Sequence, residues 1–194
     1  MDVSLATSDF PPLALGFFGL GTGYLIYGPQ ELFGYPNRDE SVDRATGVWG
    51  IFMPGLCQLV TGLILFIGLT WLQVFHDAPL YMAALAFTAY GIHWFAIGWN
   101  RYRQNDARPN AGMCIAYMVI SAMGALVFYQ AGDIPVFLLF LGLFAIYFAD
   151  FFASFRMVLG ERGLGLFHLV TGAWLMYLAF AAAVNFSLTY HWWV

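Results

Sequence analysis

Six apolar stretches dominate this chain and leave it few ways to fold: Pro12–Gly28, Gly47–Leu72, Pro79–Trp99, Ala111–Gln130, Ile134–Phe155 and Gly163–Phe186. Each is close to the roughly 20 residues that a helix needs to cross the hydrocarbon of a bilayer. The connections Pro29–Asp43, Gln73–Ala78, Asn100–Asn110, Ala131–Asp133 and Arg156–Arg162 are short and polar, and none reads as a flexible linker. Backbone polar groups inside hydrocarbon must be bonded within their own segment, and the two-residue alternation of a barrel strand is missing. The pattern therefore predicts an all-α protein, an integral membrane bundle of six transmembrane helices that forms a single domain over residues 1–194. With 61% hydrophobic and 9% charged residues, a globule in water would have a largely bare apolar surface. Lipid is the expected solvent, and a multi-pass position in the cell membrane the expected location.

Residues Met1–Asp9 contain no base, so they do not resemble the start of a cleaved signal peptide, and the first span is expected to be retained. Cys57 and Cys114 both fall in apolar runs, where thiols behave as small hydrophobes. All seven bases are arginines, and the lack of lysine excludes Schiff-base chemistry, retinal attachment included. Arg38 and Arg44 follow the first stretch, Arg101, Arg103 and Arg108 the third, Arg156 and Arg162 the fifth. All seven thus share one side, which the positive-inside rule places in the cytoplasm, with both termini outside. Trp49, Trp71, Trp99, Trp192 and Trp193 stand near helix ends, where indole rings anchor at the headgroups.

Gly16, Gly19 and Gly23, like Gly55 and Gly62, recur at near-helical spacing, as small residues do where helices or subunits approach closely. Pro54 removes an amide donor inside the second stretch, so a kink is expected there. Within the spans the strongly polar groups are few: Gln58, His93, Asp150 and His168. Such groups are costly in lipid and so are candidates for lining or gating a pore. The topology sets His93, Asp150 and His168 in the same third of their helices, where they form a titratable vestibule if they converge. Asp150 is expected to pair with Arg156. His93 and His168 stand on different helices, a pair that suits one b-type haem in principle. Four singly scattered histidines are a weak pattern for that, and a haem-bearing membrane electron carrier is the least favoured reading. No phosphate loop, nucleophile elbow or paired carboxylate points to an enzyme.

Several of these runs resemble the acetate uptake transporters of the YaaH and succinate-acetate permease type. Asp9-Phe10-Pro11-Pro12-Leu13-Ala14-Leu15, ending at Phe18, stands where that family has Asn-Pro-Ala-Pro, Leu-Gly-Leu and a phenylalanine. Phe87-Thr88-Ala89-Tyr90-Gly91 with Trp94 resembles its Phe-Thr-Ser-Tyr-Gly-x-Phe-Trp. Gly50-Ile51-Phe52, Gly55, Gln58 and Gly62, the phenylalanine-rich run around Leu141, and Gly172 with Tyr177-Leu178-Ala179 extend the likeness over residues 9–185. The resemblance implies a channel or proton-coupled transporter for acetate and similar short-chain monocarboxylates, sometimes succinate, with one pore per subunit in a homo-hexamer. It implies a small-molecule solute and membrane lipid as partners, with no cofactor, metal or nucleic acid. It further implies a hydrophobic constriction of Phe18, Tyr90 and Leu141, in which the Tyr90 hydroxyl orients a carboxylate. The outward termini and Tyr90-Gly91-Ile92-His93-Trp94 also resemble the acid-gated urea channels and short-chain amide transporters, so a urea or short-chain amide channel is the alternative.

Overall fold

Apolar runs bounded by polar caps become helices, and the described residues contain no strand. The computed structural model describes residues 11–194; the polar start Met1–Asp9 and the motif position Phe10 lie outside the described residues. The helices are α1 (Leu13–Phe33), α2 (Glu40–Gly50), α3 (Cys57–Thr70), α4 (Pro79–Arg103), α5 (Asn110–Gln130), α6 (Ile134–Ala153) and α7 (Val158–Leu188). A π-helical turn, Ile51–Leu56, fuses α2 and α3 into one rod of 31 residues. That rod and α4 to α7 make five helices long and apolar enough to cross a membrane. The 21-residue α1 is diluted by its glycines and by Pro29-Gln30-Glu31.

Caps explain several of the boundaries. Asp39 accepts the Val42 N–H at 2.9 Å and starts α2, with Glu40 and Asp43 favourably placed in its first turn. Asp133 accepts the Val136 N–H at 3.0 Å and starts α6, with Pro135 in a first turn that lacks helical acceptors anyway. Gly34, at φ 69°, takes the left-handed conformation that closes α1. The kink expected at Pro54 is absorbed by the π turn, whose wider ladder accommodates the missing donor.

The main boundary differences lie at the arginine-rich end. There α1 continues past Gly28, α2 begins before Gly47, α4 continues past Trp99 and α7 begins before Gly163. Polar residues on these extra turns bond to one another between helices, so they stay helical where hydropathy alone ends the span. The connections after α1, α4 and α6 all contribute to one cavity and therefore share an end of the bundle; those after α3 and α5 share the other.

Helix α1 packs most extensively on α7, and α5 on α6. The Gly16, Gly19 and Gly23 stripe lies against Phe87, Cys57 with the Met53 carbonyl, and Pro54, so it packs helices within the subunit. Between α1 and α7 the backbones nearly touch: a Cβ on Gly165 would fall 2.4 Å from the Leu32 nitrogen. Outward stripes of large apolar side chains, Leu15, Phe18 and Leu25 on α1 and Leu138, Leu141, Phe144 and Phe148 on α6, suit a lipid surroundings.

Candidate functional site: two opposed cavities and an aromatic neck

Two cavities enter the bundle from opposite ends. The first, about 520 Å³, has Asp77 and Asp133 at its mouth and narrows past Leu13, Phe17 and Gln58 to Tyr90 and Leu143. The second, about 540 Å³, opens among Arg38, Asn105, Arg156 and Glu161 and narrows past Glu31 and Asp150 to His93, Trp94, Tyr147 and His168. Each of three helices passes from one cavity to the other within about one turn: α1 from Leu20 to Tyr24, α4 from Tyr90 to His93, α6 from Leu143 to Ile146. The partition is thus about 5 Å deep along the helix axes.

Aromatic rings fill the partition. Tyr90 and Tyr147 stack with centroids 5.7 Å apart, and Tyr24 stacks on His168 at 4.6 Å and tilts against Trp94 at 5.9 Å. The Tyr90 hydroxyl is 2.9 Å from Ser121 Oγ, and Ser121 donates its single proton to the Tyr117 carbonyl at 2.7 Å. Tyr90 therefore donates to Ser121. Beside this layer lie buried polar atoms with no protein partner: both amide atoms of Gln58, Nε2 of His93 and Nε1 of Trp94. Buried polar atoms in proteins are nearly always bonded, and these unpartnered ones belong to residues that line the two cavities, where they are open to a polar guest.

At the arginine end an ionic network ties α1, α2 and α4 together. Asp43 accepts from Arg101 Nε at 3.1 Å and from Arg38 Nε at 3.0 Å; Arg101 also donates to Gln30 and lies 4.5 Å from the Tyr27 ring centroid. His168 Nδ1 lies 2.6 Å from Glu31 Oε2, and both side chains are buried. At the opposite mouth burial pushes the Asp133 carboxyl above the usual carboxylate range, against the pull of the Val136 N–H. On the exposed connection after α4, hydrogen bonds from Arg108 hold Asp106 down at about 2.

The expected residues divide cleanly. His93, Asp150 and His168 converge on the arginine-end cavity, and Gln58 and Tyr90 line the other. The expected ring of Phe18, Tyr90 and Leu141 is corrected: Phe18 and Leu141 are 49% and 46% exposed on the outward stripes and line neither of these cavities. A helix turns about 100° per residue, so Phe17 on α1 and Phe140 and Leu143 on α6 face inward instead. The expected Asp150–Arg156 pair is also absent; Asp150 accepts from the Cys114 thiol at 3.3 Å. The sequence reading missed Glu31, Asp43 and Arg101, which it left in or beside the connections. The spacing Tyr24, Tyr27, Glu31 along one face of α1 was the available signal.

The described residues thus form a helical bundle with two opposed cavities separated by an aromatic partition. No protein-family model and no curated protein matches the chain. Among solved structures it is similar to the bacterial acetate channel SatP, with a TM-score of 0.75 over 92% of this chain and 94% of that one, at 18% identity. The chain has that helical fold.

Proposed function

We propose that this protein is a multi-pass membrane channel or proton-coupled transporter for acetate-like short monocarboxylates, with the route running through each subunit. The observation that carries the reading is the pair of cavities separated by one turn of aromatic side chains, with unpartnered Gln58, His93 and Trp94 atoms on either side. The likeness in fold to the acetate channel supports the choice of solute. In this reading α1 is the sixth crossing, its Leu15, Phe18 and Leu25 stripe facing lipid. Phe17, Tyr90 and Leu143 form the constriction, Gln58 meets the solute before it, and His93, Asp150 and His168 line the vestibule beyond. The arginine end faces the cytoplasm by the positive-inside rule, both termini face outward, and the subunit assembles as a homo-hexamer.

Urea or a short-chain amide is the second reading, favoured by one observation: Asp77 and Asp133 line the first cavity and no base does among the described residues. Radiolabelled acetate and urea, presented to the same proteoliposomes with and without a proton gradient, separate the two. Acetate uptake well above that of protein-free vesicles is expected. Urea uptake with acetate at the protein-free rate would replace the first reading by the second.

A further inference from the structure

We propose that His93 gives this protein a preference, among short monocarboxylic acids, for those with a hydroxyl group beside the carboxyl, the hydroxyl being taken by the ring Nε2 just past the neck. This rests on the transport reading above and narrows it to a class of solute. His93 is buried where the second cavity meets the neck, and its Nε2 has no partner in the protein. The rings packed around it do not supply one. Tyr117, with its ring centroid 4.7 Å from that of His93, donates its hydroxyl proton to the Ala89 carbonyl at 2.7 Å. The Tyr90 hydroxyl is paired with Ser121, and the Tyr147 hydroxyl lies 3.4 Å from Nδ1, the other ring nitrogen.

The Nδ1 contact sets what Nε2 has to offer. If Tyr147 donates to Nδ1, Nε2 carries the ring proton and is a donor; if Nδ1 donates to Tyr147, Nε2 is an acceptor. A hydroxyl group matches both cases, because it donates and accepts at one oxygen. A carboxylate oxygen matches only the first, and a methyl group matches neither. Trp94, next along α4 and lining the same cavity, also has a buried, unpartnered nitrogen. Its Nε1 is a donor only and suits a carboxyl oxygen. A 2-hydroxy acid carries hydroxyl and carboxyl on neighbouring carbons and so serves both nitrogens at once. The acid of the same size with a methyl in place of the hydroxyl leaves Nε2 unpaired, and a site discriminates most strongly against a solute that leaves its buried polar atoms unpaired. The acetate uptake motif has phenylalanine at this position, which offers no such atom, so the preference belongs to this chain.

The test sets glycolate against propionate, which match in size and differ by a hydroxyl for a methyl. In proteoliposomes, radiolabelled glycolate uptake above that of protein-free vesicles is expected for the wild type. Each acid is then made to compete with radiolabelled acetate at one pH, and the ratio of glycolate to propionate potency is compared between wild type and variants, which cancels the difference in their acidities. His93→Phe is expected to lower that ratio roughly tenfold, while its own acetate uptake reports that it is folded. His93→Gln, whose amide both donates and accepts, is expected to keep the ratio within about twofold. A ratio unchanged in His93→Phe would overturn the inference and leave the transport reading standing. So would wild-type glycolate uptake at the protein-free rate while acetate is taken up, a result that holds whether or not the variants fold. Wild-type acetate uptake at the protein-free rate would remove the transport reading, and this inference with it.

Discussion

Replacing Asp43 by Asn separates the parts of the ionic network at the arginine end. Asp43 is 10% exposed and faces two guanidiniums, of which Arg101 is 7% and Arg38 49% exposed. The amide keeps the shape of the side chain and removes its charge, leaving Arg101 buried with the neutral partners Gln30 and Tyr27. Breaking a buried pair by neutralising one partner costs about 3–5 kcal/mol, because the other charge is left without compensation. The half-exposed Arg38 adds no more than a surface pair does, at most about 1 kcal/mol. The expected cost of Asp43→Asn is therefore about 3 kcal/mol, roughly a hundredfold in the folding equilibrium. Glu40→Gln breaks the Arg44–Glu40 pair, whose side chains are 56% and 63% exposed, and its expected cost is below about 0.5 kcal/mol. Both variants are to be compared by reversible denaturation in mixed micelles. Equal stability losses in the two would refute the argument from burial.

Phe17→Ala, at a position 3% exposed and packed on Phe87, is expected to cost about 3 kcal/mol and to raise butyrate flux relative to acetate; Phe18→Ala is expected to leave that ratio unchanged in competition assays. Asp133 has its carboxyl raised in the folded protein, so the stability this confers is present below the unfolded value of about 3.8 and is lost as pH rises through the folded value. Asp133→Asn keeps the α6 cap, and its thermal midpoint is expected to lose that decline across the acid range, as melts at several pH values will show. Gly165→Val drives a side chain into the α1 backbone and is expected to prevent folding. Gly163→Ala meets only an ordinary contact, 3.7 Å from the Ala149 Cβ, and is expected to fold like the wild type by gel filtration.

Hydropathy located the helices well wherever their ends are apolar. The start of α4 at Pro79, the end of α5 at Gln130 and the start of α6 at Ile134 all coincide with the expected limits. The shared side of the arginines was legible too, because loop parity alone fixes it. Rotation about the helix axes was not legible on α1 and α6. A motif match one residue out of phase points Phe18 inward in place of Phe17, and nothing in a run of consecutive phenylalanines and leucines corrects it. The partners of polar groups were hidden for a different reason. Asp150 has an arginine six positions away in sequence, yet the helix that packs on α6 brings Cys114 to it. Glu31 finds His168 across the α1–α7 contact, which depends on glycines whose role shows only once the two backbones are placed together.

The fused α2–α3 rod also measures the membrane it is built for. Trp49 within it and Trp71 just past its end, 52% and 79% exposed, are twenty-two positions apart, about 33 Å, close to the thickness of a hydrocarbon core. With an indole at each boundary the rod resists being drawn up or down, and the charged turn before Trp49 is held clear of the acyl chains. Bilayers much thinner than this span are expected to tilt the rod or to deform around it, and thickness itself becomes a condition for the protein to stand upright.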